Sequence, residues 1–455
     1  MYRKEGTETA TTANRDEMRP ETTPINKPDT HIWGVYCCIV VISIIELYSA
    51  SSFEIAKQGL YSPLMRHIGF LFIGFLLMLG VQQIHYRYFA PVAYLIFGIS
   101  ALAMLYVNFF GEVVNGAKRA INLPFMSLQP AEFIKLSAVL VLAVVLGRTQ
   151  LKKDERIRNH GLIVATILVV VMSALLFTQG LTNTIILMAI CISMLLIGSL
   201  EWRKFGIIIC VFAVCAGIGA MIKHYKTSEA KKTVVEAPTL VDSHGRVYTI
   251  PEAATSSATS RIEDDTWHKR LEHFFDSQKY LNKINASNLQ EMRSYMAQAN
   301  GGMFGVFPGN SRETSRLPLA FSDYIYAIII EDLGFLIGGV GVMLLYLWLL
   351  ARAYMIARRC NQIYPAFLVT GCAVLITVQA LVHMAIVTGA FPVSGQPLPL
   401  FSKGGTSIIV TSIAFGVMLS VSRYSVRNKG ASTKELKAEA EALPEELRGE
   451  NPTQF

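Results

Sequence analysis

Residues 317–350 read LPLAFSDYIYAIIIEDLGFLIGGVGVMLLYLWLL. The run is apolar and long enough to cross a hydrocarbon core of roughly 30 Å as helix. Yet it opens on Asp323 and carries Glu331 and Asp332 farther in, where an ionised side chain costs about 2.5–3.5 kcal/mol on insertion scales. Such groups usually face a cavity or a partner. The stretch therefore poses two questions: how the chain crosses the membrane, and which carboxylate does chemistry.

The rest of the chain repeats the apolar pattern. With 455 residues, 52% hydrophobic and 16% charged, it reads as a membrane protein and not as a string of soluble domains. Ten runs of spanning length fall near 32–52, 67–84, 89–110, 131–147, 161–178, 183–199, 205–223, 324–351, 365–389 and 405–422. The first lies too far from Met1, and lacks a small-residue cleavage site, to be a removed signal peptide, so the chain is expected to insert whole. Loops rich in Lys and Arg stay cytoplasmic. An inside N-terminus places Arg148, Lys152, Lys153, Arg156 and Arg158, then Arg203 and Lys204, then Arg352, Arg358 and Arg359, and finally Arg423, Arg427 and Lys429 on that side. The expected fold class is an all-α polytopic membrane protein with ten transmembrane helices, both termini cytoplasmic, and a large extracytoplasmic loop between helices seven and eight.

The formal charge of +8 is then a topology signal and not a nucleic-acid patch. The seven cysteines lie in spans or in a cytoplasmic loop, so neither a disulfide nor a thiolate metal site is expected. Three regions follow: a polar tail over 1–30, the membrane domain over 31–425 including the loop 224–323, and a Glu/Lys/Ala-rich tail over 426–455. Both tails read as disordered or weakly helical. Within the loop, 243–260 suits a flexible excursion or small hairpin. The bulky apolar residues after Trp267 recur at helical spacing, as in a helix lying on the outer leaflet or on the span ends.

Four constellations carry the candidate chemistry. Asp323, at the outward end of span eight, either caps that helix or points into a cleft. Glu331, eight residues on, is expected roughly 12 Å deeper, and both it and Asp332 read as groups that bond other helices. In GAKRAINLPFMSLQPAEFIKL, residues 116–136, Lys118 and Arg119 sit in an outward loop against the positive-inside trend and suit an anion such as phosphate. Glu132 and Lys135 follow at i, i+3, where they can pair within the membrane. In GAFPVSGQPLPLFSKGGTS, residues 389–407, Pro392, Gly395, Pro397 and Pro399 break the helix before Ser402, Lys403, Gly404 and Gly405. A helix start there offers backbone amides to an anion, or is simply a tight re-entrant turn. Upstream, the glycines of ANGGMFGVFPGNS, residues 299–311, let backbone approach other groups closely. A substrate carrying a pyrophosphate and a lipid tail suits this set.

In order, these motifs resemble those of the SEDS (shape, elongation, division and sporulation) family: GA-x-RW…QPSEF-x-K, AI-x-GG-x-x-G-x-GxGNS, LPEAHTDFIFAVI-x-EELG and P-x-TG-x-x-LPxxSYGGSS. The resemblance spans about residues 32–425. PLPLFS and SKGGTS are similar to division members of the Bacteroides group more than to elongation members. It implies a peptidoglycan glycosyltransferase that polymerises lipid II during septal wall synthesis. Asp323 falls on the proposed catalytic aspartate, Arg119 on the GA-x-R arginine, and Glu132 and Lys135 on the intramembrane pair. Glu331, Gly301, Gly302 and Ser311 take supporting places, and Lys118, Ser402, Lys403, Gly404 and Gly405 substrate-binding ones. A divalent cation such as Mg2+ would assist the leaving pyrophosphate. Implied partners are a class B penicillin-binding transpeptidase and other division proteins, in the cytoplasmic membrane at the septum. A lipid-linked precursor flippase, an elongation polymerase and a division scaffold without chemistry stand as alternatives. The chain departs from the family pattern at Ala120 for Trp, Leu319 for Glu, Phe321 for His and Lys403 for Tyr.

Overall fold

The computed structural model describes residues 27–50, 61–110, 112–114, 117–122, 127–149, 159–177, 180–197, 206, 239–241, 247–249, 270, 274–276, 288–317, 320–424, 437, 440–449 and 451. The helices are α1 (Thr30–Ala50), α2 (Tyr61–Val81), α3 (Phe89–Phe110), α4 (Pro130–Thr149), α5 (Asn159–Phe177), α6 (Leu181–Ile197), α7 (Leu289–Gly301), α8 (Ile325–Gly334), α9 (Val342–Ala357), α10 (Ile363–Val387) and α11 (Gly405–Tyr424). A π-helical turn over Phe335–Gly341 joins α8 to α9. Among the described residues seven helical runs are long and apolar enough to cross a membrane, and Gly161–Phe177 and Leu181–Ile197 are shorter apolar helices. The protein is thus a largely helical, multi-pass membrane protein. The expected span at 205–223 and the amphipathic segment after Trp267 lie almost wholly outside the described residues.

Packing follows the apolar patterning. α4 and α10 are buried along almost their whole length, with α4 packed against α3, α5 and α10. α3 instead exposes the stripe Leu95, Ile99, Leu102, Tyr106 and Phe109, as a helix does whose solvent is lipid. Between α3 and α4 the strands β1 (Glu112–Val114), β2 (Ala117–Asn122) and β3 (Ser127–Leu128) form an antiparallel sheet in that order. In the large loop, Thr239–Val241 and Val247–Thr249 pair as a small hairpin, which meets the expected 243–260 segment only at its second strand; residues 250–260 lie outside the described residues.

The run that opens the sequence analysis is not one straight helix. Over Ile325–Ala357 it holds 33 residues, about 50 Å of helix against a core of roughly 30 Å. It turns at Gly334, whose φ of 79° and ψ of 168° are outside any helical range. Contacts at the two ends of the bundle fix the levels. At one end Asp29 bonds Arg352 and, through its amide, Ser422. Seventeen residues up from these three, about 25 Å along each helix, stand Glu46, Phe335 and Gly405. Asp332 faces Glu46 and Ser49, while Asp323 shares a cavity with Gly405. Both ends of α8 therefore lie at one level, and α8 runs across the end of the bundle away from Asp29. This corrects the expectation that Glu331 sits some 12 Å below Asp323, which assumed that helix periodicity continued past Gly334.

The turn leaves backbone groups that the helix would have paired, and the glycine-rich loop after α7 meets them. Val306 and Phe307 amides donate to the Glu331 and Asp332 carbonyls at 2.9 and 2.8 Å, and Phe335 and Leu336 amides donate to the Gly302 and Met303 carbonyls at 2.9 and 3.2 Å. Backbone lies on backbone here. A Cβ on Gly305 would collide with the Asp332 carbonyl, and one on Gly334 with the Gly305 amide and the Met303 carbonyl.

Contacts near both ends of the chain add to the packing. Asp29 accepts from the His31 and Ile32 amides at the start of α1 while gripping Arg352. Part of the C-terminal segment is docked on the bundle. Leu443 and Leu447 are buried, the Ile363 amide donates to the Gly449 carbonyl, and Asn451 Nδ2 donates to the Ala357 and Cys360 carbonyls, both at 2.8 Å. The end of α9 and the start of α10 leave unpaired backbone groups, and the tail supplies partners that composition alone does not reveal.

Two outcomes follow. Gly305→Ala and Gly334→Ala should each destabilise the protein by about 1–3 kcal/mol, since both impose positive φ on alanine without room for its Cβ. Gly80→Ala, whose Cβ meets nothing, should not; thermal melting in detergent distinguishes them. At Asp29, burial pushes the carboxyl up, but the Arg352 contact and the amides outweigh it and hold it below the ordinary carboxylate range. Its contribution is full at neutral pH and lost as pH falls below about 4. Arg352→Gln should flatten that acid-side loss of melting temperature.

Candidate active site

A cavity of about 270 Å³ opens where α2, α11, the approach to α8 and the proline-rich turn before α11 converge. Its wall includes Arg66 and His67 from α2, Ser127 and Gln129 from the approach to α4, Ser322 and Asp323, Gly395 and Pro397, and Lys403 to Ser407. Proline and glycine keep residues 392–404 out of helix, and non-helical backbone at this level is tolerated because it lines a cavity.

Asp323 is held there by short local contacts. It precedes Tyr324, the residue that caps α8, so it is not the helix cap. Ser322 Oγ donates to its Oδ1 at 2.9 Å. A Cβ on Gly395 would stand 2.9 Å from its Oδ2, so glycine is what lets the turn lie against the carboxylate. Ser402 Oγ donates to the Ser322 carbonyl and accepts from the Leu398 amide, both at 2.7 Å. The Lys403 amide donates to the Phe321 carbonyl at 3.0 Å. Across the cavity Thr406 Oγ1 donates to the Ser127 carbonyl at 2.9 Å and accepts from the Gln129 amide at 3.2 Å. Two departures from the family pattern meet here: the Lys403 ammonium sits 4.3 Å from the Phe321 ring centroid, a cation–π distance.

Other candidates separate from this cluster. Gly404 and Gly405 join it. Glu132 and Lys135 do not line the cavity; they pair at 2.7 Å, and Gln379 Nε2 donates to the second Glu132 oxygen at 2.9 Å, which closes the group into the α4–α10 seam. Lys118 and Arg119 have their backbone in β2; their side chains lie outside the described residues. Glu331 is fully buried, and its partners come from the end of α7 and from the segment that follows it. Ser311 Oγ, the Arg312 and Glu313 amides and Asn300 Nδ2 all donate to it. Gly301 ends α7 against the Ile330 carbonyl, and Gly302 pairs with Phe335. Asp332 faces Glu46, with no hydrogen-bond partner for any of the four oxygens among the described residues.

Arg66 and His67 were not anticipated. Their signal was a basic pair at the outward start of span two, against the same charge rule that singled out Lys118. His67 Nε2 meets Ser43 Oγ at 3.0 Å, and Ser43 donates to the Leu400 carbonyl, so α1 and α2 brace the turn that carries Lys403.

These features define a polytopic membrane protein with a polar cavity toward one end of its helices, lined by a carboxylate, by cations and by a helix start. The chain belongs to the FtsW/RodA/SpoVE cell cycle protein family, which it matches over residues 29–253 and 247–427. It is 25% identical to the probable peptidoglycan glycosyltransferase FtsW of Coxiella burnetii over 87% of this chain and 96% of that one. It is 29% identical to the stage V sporulation protein E of Bacillus subtilis over 89% and 99%. Its fold matches the rod shape determining protein RodA of Thermus thermophilus with a TM-score of 0.56 at 21% identity, over 88% and 98%. A chain from a peptidoglycan synthase complex that coordinates polymerization and crosslinking matches at 0.59 and 22%, over 88% and 99%.

The two buried carboxylate sites should respond oppositely. Glu331→Gln presents an NH₂ to hydrogen-bond donors and should cost about 1.5–3 kcal/mol, read as a lower melting temperature and faster proteolysis at residues 302–316. Glu46→Gln relieves a facing pair of like groups and should leave melting unchanged or raised.

Proposed function

We propose that the protein is a peptidoglycan glycosyltransferase that polymerises lipid II, with Asp323 as general base. The observation that carries this reading is the position of Asp323, on the wall of a cavity that Arg66, Lys403 and the start of α11 also line. Asp323 would take the proton of the acceptor sugar 4-hydroxyl as its oxygen bonds the anomeric carbon. The bond from that carbon to the pyrophosphate breaks on the opposite side, so the centre inverts. Undecaprenyl pyrophosphate leaves. Charge builds on its phosphate oxygens, and cationic side chains with amide donors at a helix start stabilise that charge. Lys403 and the Gly405 amide at the start of α11 stand at the cavity for this role, and Arg119 with Lys118 would supply it from β2. A divalent cation such as Mg2+ takes one or two carboxylates and completes its shell with substrate phosphates; Asp323 is a carboxylate that the cavity offers it.

Glu132 and Lys135 enter this reading as the pair that, with Gln379, fixes α4 against α10 and not as substrate ligands. We further place the N- and C-termini in the cytoplasm, with ten spans, the cavity on the outer face of the cytoplasmic membrane, and the enzyme at the division septum beside a class B penicillin-binding transpeptidase. The synthase complex that the fold resembles supports such a partner.

Asp323→Asn, purified and given lipid II, should lose glycan synthesis by at least about two orders of magnitude while melting like the wild type. Full polymer yield from that variant would remove the general-base role. Arg119→Ala should raise the lipid II concentration needed for half-maximal synthesis with melting unchanged.

A further inference from the structure

The glycine-rich loop that meets the turn at Gly334 carries Met303, Phe304 and Phe307, and the π-helical turn below it carries Phe335, Leu336 and Ile337. These six side chains are between 49 and 72% exposed. The hydrogen bonds from Gly302, Met303, Val306 and Phe307 to the turn make them one patch. Phe307 is held at φ 69°, a conformation bulky residues avoid at a cost of order 1–3 kcal/mol.

Monomeric proteins rarely expose so much contiguous apolar surface to water. The level of this patch in the bundle says what covers it. Phe335 stands seventeen and Ile337 fifteen residues above Arg352, about 25 and 22 Å along the helix, and the loop is bonded at that same height. That is within a hydrocarbon core of roughly 30 Å. Beyond Gly309, the next exposed residues along the chain, Asn310, Arg312, Ser315 and Arg316, are polar or cationic. An apolar wedge rimmed by arginines is the pattern of a segment lying in one leaflet, with the cations at the headgroups. The loop's backbone tolerates that depth because its paired amides and carbonyls are taken by the turn.

We infer that residues 302–307 form a re-entrant wedge in the outer leaflet whose occupant is lipid acyl chain, seating the α7–α8 corner in the membrane. The test uses the full-length protein with p-benzoylphenylalanine in place of Phe304 or Phe307, in nanodiscs of phosphatidylethanolamine and phosphatidylglycerol. The analogue keeps an aromatic side chain, so folding is preserved. The same substitution of Leu102, on the lipid-facing stripe of α3, gives the reference for lipid contact, and that of Ser315 gives the rim. On irradiation, phospholipid adducts at 304 and 307 should match those at 102 and exceed those at 315 by about ten-fold. Adduct yields at 304 and 307 no higher than at 315 would overturn the inference. So would capture of a protein partner in place of lipid when the same variants are irradiated in cell membranes.

Discussion

A backbone that leaves helical geometry at the level of a membrane needs a partner for every amide and carbonyl it frees. At Gly334 that requirement is met by another stretch of backbone, the glycine-rich loop after α7. Much of the outward face depends on this junction. With the turn in place, α8 lies across the ends of the bundle, and Asp323 is delivered to the cavity beside α2 and α11. Without it, α8 would run on as one rod some 50 Å long, and its first residues would stand clear of the turn that Gly395 and Lys403 belong to. Glycines at 305 and 334 are the condition for the contact, because a Cβ on either would strike backbone.

The junction also explains why one stretch carries carboxylates of such different character. Glu331 is surrounded by donors from the end of α7 and the segment that follows it, so its freedom is gone. It is an anchor. Asp323 instead lies on the wall of the cavity, with Ser322 Oγ donating to its Oδ1. Glu132, closed by Lys135 and Gln379, does not line that cavity. Place, on the cavity wall or in a packed seam, separates these acids.

Much of the architecture was legible in the sequence because it rests on local signals. Run length located the seven long apolar helical runs found among the described residues, Pro130 marked the start of α4, and the i, i+3 spacing of Glu132 and Lys135 foretold their 2.7 Å bond. The horizontal course of α8 was not legible, since IYAIIIEDLGFLIGG keeps an apolar helical pattern straight through the turn. Only the long-range pairing of 302–307 with 331–336 reveals it. The docked C-terminal segment was hidden for the same reason: its composition is polar, and what orders it is a set of unpaired groups at the ends of α9 and α10. Arg66 and His67 were legible in principle, by the rule already applied to Lys118, but their place opposite Asp323 depended on how α2 packs.

The departures from the family pattern acquire a physical reading from this packing. Taken singly, phenylalanine for histidine at 321 and lysine for tyrosine at 403 each alter the surroundings of Asp323, one by removing a polar ring and the other by adding a charge. In the structure they touch, the Lys403 ammonium over the Phe321 ring and its amide on the Phe321 carbonyl. An aromatic face attracts a cation without neutralising it. The pair therefore replaces an imidazole near the carboxylate by a positive charge held beside the Phe321 ring. That charge stands at the start of α11, where the helix dipole favours an anion too. The change in residue type thus makes this wall of the cavity more positive and leaves Asp323 in place.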